Sequence, residues 1–148
     1  MRHIAVVGIV MGLGIGLLSC SKGLAPLGNC DGHGSCMVTV PVNACVPAPK
    51  PDPLTVQKEN DIFWDLDDAA KPLYQFRDND GVILKTADSD FYAPQAQMQN
   101  KKFKLHDKNS KAQPGQQLRY PYTIHIQQLV SGNWVDCPAY DPTIINQG

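Results

Sequence analysis

Apolar and polar residues alternate in short runs with a period of two, the signature of half-buried strands. The clearest run is Arg119 to Leu129. Tyr120, Tyr122, Ile124 and Ile126 fall on one face, and Pro121, Thr123, His125 and Gln127 on the other. Phe103 and Leu105 alternate with Lys102, Lys104 and His106 in the same way, and Asp61–Leu66 puts Phe63 and Trp64 on opposite faces. Shorter strands are predicted over Met37–Val42, Leu54–Lys58, Leu73–Phe76, Val82–Leu84 and Asp141–Asn146. Pro41 places the first of these at an edge or ends it. Asp78-Asn79-Asp80-Gly81 is the strongest turn signal and predicts a hairpin, and Ser131-Gly132-Asn133 turns the chain into Trp134-Val135. Ser89–Gln99 and Asp107–Gln116 read as loops, Pro47–Pro53 as a stiff extended segment, and Asp67–Lys71 as at most one helical turn. No helical apolar stripe runs over several turns. Short strands joined by turn chemistry predict an all-β antiparallel sandwich or barrel, with Trp64, Tyr74, Tyr120, Tyr122 and Trp134 in its core.

The N-terminus follows a different pattern. Arg2 and His3 precede an uncharged apolar run from Ile4 to Leu18, fifteen residues long. That is short for a membrane-spanning helix and suits the apolar region of a signal peptide. The run ends in Leu17-Leu18-Ser19-Cys20, which resembles a bacterial lipobox. The resemblance implies cleavage before Cys20 and acylation of its thiol and new amino group, since stable anchoring takes more than one chain. Ser21 after the cysteine implies the outer membrane rather than the inner one, on the periplasmic side. Three regions follow: a signal peptide over 1–19, a lipidated cysteine with a Gly-rich flexible tether over 20–35, and a globular domain over 36–148.

Composition then narrows the function. The chain has 148 residues and a formal charge of −1, and losing Arg2 takes it to −2. One domain fits that length, and the near balance of charge argues against a nucleic-acid partner. Charged residues are 18% of the chain against 43% hydrophobic ones, so a wholly disordered chain is not expected. In an oxidising compartment Cys30, Cys36, Cys45 and Cys137 imply two disulfides out of three possible connectivities. Cys30 and Cys36 close a small loop with glycines in it, which leaves Cys45 for Cys137. The competing reading is a soft-metal site made of Cys30, His33, Cys36 and Met37.

From Leu54 onward the order of features has a family likeness. It runs PDPL and a strand, IFW, LYQF, DGVIL, KFKLHD, YPYTIHI and DPTIIN. Over about two-thirds of the chain this resembles the cupredoxin-like β-sandwich domains of bacterial envelope proteins. The resemblance implies an antiparallel Greek-key sandwich, cupredoxin-like or immunoglobulin-like. Copper-binding members carry an early His and then Cys, His and usually Met near the last strands. Between Ile124 and Asn146 this chain has only His125 and Cys137, so no copper site and no cofactor are expected.

Two charged groups remain. Asp61, Asp65, Asp67 and Asp68 read as a solvated run. Lys101, Lys102, Lys104, Lys108 and Lys111 form a basic patch, suited either to an acidic partner or lipid headgroups or to protecting an edge strand. Separated along the chain, the two groups predict an electrostatically two-faced domain. No serine or cysteine nucleophile motif and no phosphate loop is present, so no catalytic residues are assigned. The expectation is a non-enzymatic binding or structural module of the envelope, with an envelope protein as partner. A periplasmic copper-binding or redox protein using His33, Cys36, Met37 or His125 is the first alternative. An envelope enzyme inhibitor or immunity protein is the second.

Overall fold

The computed structural model describes residues 29–30, 32 and 34–148. The apolar leader, the Leu17–Cys20 motif and His33 lie outside the described residues. In chain order the strands are β1 (Asn29–Cys30), β2 (Gly34–Val40), β3 (Val42–Asn43), β4 (Val46–Pro47), β5 (Leu54–Val56), β6 (Asn60–Leu66) and β7 (Tyr74–Phe76). There follow β8 (Val82–Leu84), β9 (Phe91–Gln97), β10 (Lys102–Asp107), β11 (Gln117–Ile124), β12 (Ile126–Val130), β13 (Asn133–Asp136) and β14 (Thr143–Gln147). The fold is all-β, as the period-two pattern predicts. One sheet runs β2-β6-β10-β9, and facing it are β1-β5-β14-β11-β8 and the smaller β13-β12-β7, while β3 and β4 form a separate ribbon.

Alternation along β6 builds the core. Asn60, Ile62, Trp64 and Leu66 point inward, while Asp61, Phe63 and Asp65 stay half-exposed. Trp64 meets Tyr122 from the facing sheet with ring centroids 5.4 Å apart, and its indole N–H donates to the Tyr122 hydroxyl at 3.1 Å. Phe76 of β7 meets Phe103 of β10 at 6.2 Å. Ile124, Ile126, Leu54, Val38 and Val40 complete the buried layer. Burying such side chains supplies roughly 1.5 to 3 kcal/mol each, the main term holding sheet on sheet.

The sheets are mixed rather than purely antiparallel. β2 lies parallel to β6, and β5 lies parallel to both β1 and β14. Sequence alternation records which face a residue takes and nothing of strand direction, so these pairings were not readable from it. Pairing also begins at Asn29, ahead of the boundary drawn at residue 36. Asn60 is the reason: its side-chain amide donates to the Gly32 and Lys58 carbonyls at 2.7 and 2.9 Å and to Cys30 O at 3.4 Å. The Gly-rich composition of this stretch describes its freedom in isolation, which a buried amide removes.

The Asp78–Gly81 turn forms, but it is not a hairpin. β7 pairs with β12 and β8 with β11, so the turn carries the chain from one sheet to another. The same corner breaks the long predicted strand at His125, which belongs to neither β11 nor β12. Its backbone N–H donates to Gly81 O at 2.8 Å and its carbonyl accepts from Arg77 N at 3.1 Å. The segment read as a loop over Ser89–Gln99 contains β9. Its pattern is mostly exposed and contains Pro94, so no apolar alternation announced it. Trp134 is not core: it lies on β13, whose four residues are all exposed.

Candidate interaction surface

Two disulfides staple the domain. Cys30–Cys36 has a Cα separation of 5.4 Å and Cys45–Cys137 one of 5.3 Å. Of the three possible connectivities, this is the one the short loop favoured. The soft-metal reading thereby loses the thiolates of Cys30 and Cys36. Met37 lies exposed on the outer face of β2. His125 sits at the sheet-switching corner, where its Nδ1 lies 2.9 Å from Asp80 O and 3.5 Å from Asp80 Oδ2. Among the described residues no group of three or more His, Cys, Asp and Glu is placed to hold a metal ion.

The five lysines do not form one patch. Lys102 and Lys104 flank Phe63 on the outer face of the four-stranded sheet, with their ammonium groups 5.4 and 5.9 Å from its ring centre. Lys104 pairs with Asp61 at 2.8 Å and Lys102 with Asp65 at 3.6 Å. Antiparallel register does this by setting Lys102 opposite Asp65 and His106 opposite Asp61. His106 Nδ1 meets Asp61 Oδ1 at 2.7 Å, and its Nε2 meets Glu59 at 3.0 Å. Partial burial alone would raise the Asp61 carboxyl, but hydrogen bonds from Lys104 and His106 outweigh it and hold the carboxyl below its usual range. The two-faced charge distribution is thus overturned: acids and bases distant in sequence interleave on one sheet. Asp61 and Asp65 are strand residues in ion pairs rather than parts of a solvated loop.

Lys108 and Lys111 lie beyond the far end of β10. Lys108 sits 5.0 Å from the Tyr92 ring centre. Lys111 bonds Asp88 at 2.7 Å and is the main cause of that carboxyl's lowered pKa. This is also the end where the chain enters the fold, because β2 pairs Gly34 with Asn60, and Asn60 with Asp107 across β10. Lys101 lies at the opposite end. Its ammonium donates to Tyr74 O at 2.8 Å and stands 4.7 Å from the Trp134 ring centre, and burial lowers its pKa. At this end of the domain Leu73, Met98, Val130, Trp134 and Val135 are exposed apolar side chains, with Val130 and Val135 on the face of the β12–β13 hairpin away from Trp134. Sequence reasoning missed this grouping because its members come from four separate segments.

A further cleft of about 290 Å³ opens between β8 and β9, lined by Val82, Ile83, Leu84, Phe91, Pro94 and Leu105 among others. No helix among the described residues is long and apolar enough to cross a membrane. Comparison of the sequence with protein-family models and with curated proteins finds no match.

Proposed function

We propose that the protein is an acyl-anchored binding or structural module of the bacterial envelope, held at the periplasmic face of the outer membrane through Cys20. Its domain is a cupredoxin-like sandwich without a copper centre. The observation that carries this reading is the polarity of the domain. The chain enters at the end bearing Lys108 and Lys111, and the exposed apolar side chains that include Trp134 lie at the other. Residues 21–28, fully extended, would reach about 30 Å from the acylated cysteine. On this reading Lys108 and Lys111, the latter paired with Asp88, sit near lipid headgroups, and the Trp134 end is presented to protein partners. The parallel pairs favour cupredoxin-like over immunoglobulin-like, since the latter is built of two antiparallel sheets. Cys137, the one sulfur near the last strands, is taken up in a disulfide.

Intact mass measurement of the protein from its own membrane, with and without reduction, tests the reading. The expected result is a chain beginning at an acylated Cys20 that gains about four mass units on reduction. Cys20→Ser is expected to release the protein into the soluble fraction. Retention of that variant in membranes would refute the anchor, and free thiols with bound metal would favour copper handling.

A further inference from the structure

We propose that β13 is a self-pairing edge at which two copies of this chain join their sheets across a two-fold axis through Val135. The inference does not depend on the acyl anchor.

The hydrogen-bond pattern shows which backbone groups are open. Cys137 N donates to Ile126 O at 3.0 Å, and Leu129 N donates away from β13, to Leu73 O at 2.8 Å. Antiparallel neighbours alternate between bonded and non-bonded pairs. With Gln127 opposite Asp136 and Leu129 opposite Trp134, those two pairs are the non-bonded ones. The N–H and C=O groups of Trp134 and Asp136 therefore face outward from the sheet.

Four other edges of the described domain are guarded. β9 contains Pro94, a positive φ of 54° at Ala93 and a register shift opposite Lys104 to His106. The outer side of β2 is engaged by Lys50, which exchanges bonds with Thr39 at 2.8 and 3.1 Å. β7, the other edge of the small sheet, gives its Phe76 N–H to Asn100 O at 2.7 Å. β8 is only three residues long. β13, four residues long, has no proline, no lysine and no bulge, three of the devices that keep edges from pairing, and it exposes Trp134 and Val135.

The occupant follows from self-complementarity. A two-fold axis at Val135 sets Trp134 of one copy opposite Asp136 of the other, and all the open groups then pair as four backbone hydrogen bonds. Val135 meets its own equivalent, an apolar pair that favours the register. Trp134 and Asp136 share a face, and Lys101 stands over Trp134. The register therefore brings Lys101 towards Asp136 of the second copy, and Asp136 has no cation partner among the described residues. Opposite charges meet where the backbone demands contact.

The test co-expresses two differently tagged full-length chains and reads their co-purification from detergent extract. Wild-type chains are expected to capture each other. Val135→Lys in both chains places like charges across the axis, and at least a tenfold loss of capture is expected, on the order of 1.4 kcal/mol. Val135→Glu in both should lose it equally. One Val135→Lys chain with one Val135→Glu chain should regain it, because only a two-fold through this residue sets position 135 against itself. Val135 is exposed, and matching thermal unfolding will verify that the variants fold. Capture unchanged in the Lys variant, a mixed pair no better than either alone, or capture only of a different protein would each overturn the proposal.

Discussion

Asp107 carries a pH lever that opposes the usual behaviour of carboxylates. It is fully buried, and burial pushes it up to about 6, against hydrogen bonds from Asn109 N–H and the Asn146 amide. Asp90 nearby adds to the rise and His106 opposes it. Asp107 Oδ2, Asn109 Oδ1 and Asn146 Oδ1 are buried acceptors without a partner. The folded state thus binds this proton more tightly than the unfolded chain, whose carboxyl titrates near 3.9. Its contribution to stability is complete below about pH 4 and is lost as pH rises through about 6, an amount of roughly 2 to 3 kcal/mol. Asp107→Asn should remove that slope while leaving those of Asp61 and Asp88, which have the opposite sign because their pKa values are lowered. Urea unfolding of both proteins at intervals from pH 4 to 7 measures the difference, and parallel curves would contradict the assignment.

Among elements, the corner at Gly81 decides most. The turn looks like a glycine chosen for a left-handed φ, yet Gly81 does not adopt one. A Cβ there would lie 2.7 Å from Phe76 Cβ, 2.8 Å from Arg77 O and 2.8 Å from the Phe103 ring. Phe76 and Phe103 are both fully buried, so none of the three can withdraw cheaply. Gly81→Ala should cost roughly 1 to 3 kcal/mol by overpacking, read as a lower unfolding midpoint. Gly132, with φ of 83° beside Ser131 at 50°, is the glycine that serves a hairpin, and there the turn chemistry gave the right answer.

At the scale of the whole molecule, the two disulfides differ in reach. Cys30–Cys36 spans a separation of 6 residues and Cys45–Cys137 one of 92. Constraining the unfolded chain, the long loop contributes about 4 to 5 kcal/mol and the short one about 2. Replacing Cys45 and Cys137 together by Ser should therefore destabilise the domain by about 2 kcal/mol more than replacing Cys30 and Cys36. Denaturant unfolding of the two double variants under oxidising conditions compares them. Equal losses would mean that the unfolded chain is already compact. The long bridge ties the β3–β4 ribbon to the segment leaving β13, so its loss should also loosen the Trp134 end.

Side-chain chemistry and local alternation determined a good deal from the sequence alone. They gave the all-β class, the inward faces of β6, β10 and β11, most of the aromatic core and the short-loop pairing of the cysteines. Those features depend on a residue and its near neighbours, because burial imposes a period of two on any half-covered strand. Only the tertiary structure decided which strands pair, and in which direction. It turned an apparent hairpin at Asp78–Gly81 into a bridge between sheets and drew Asn29–Cys30 into the fold through Asn60. It also set Asp61 and Asp65 against lysines some forty residues later and left β13 open. Register and partner choice are set by contacts between distant segments, whose free energy no local pattern of residues records.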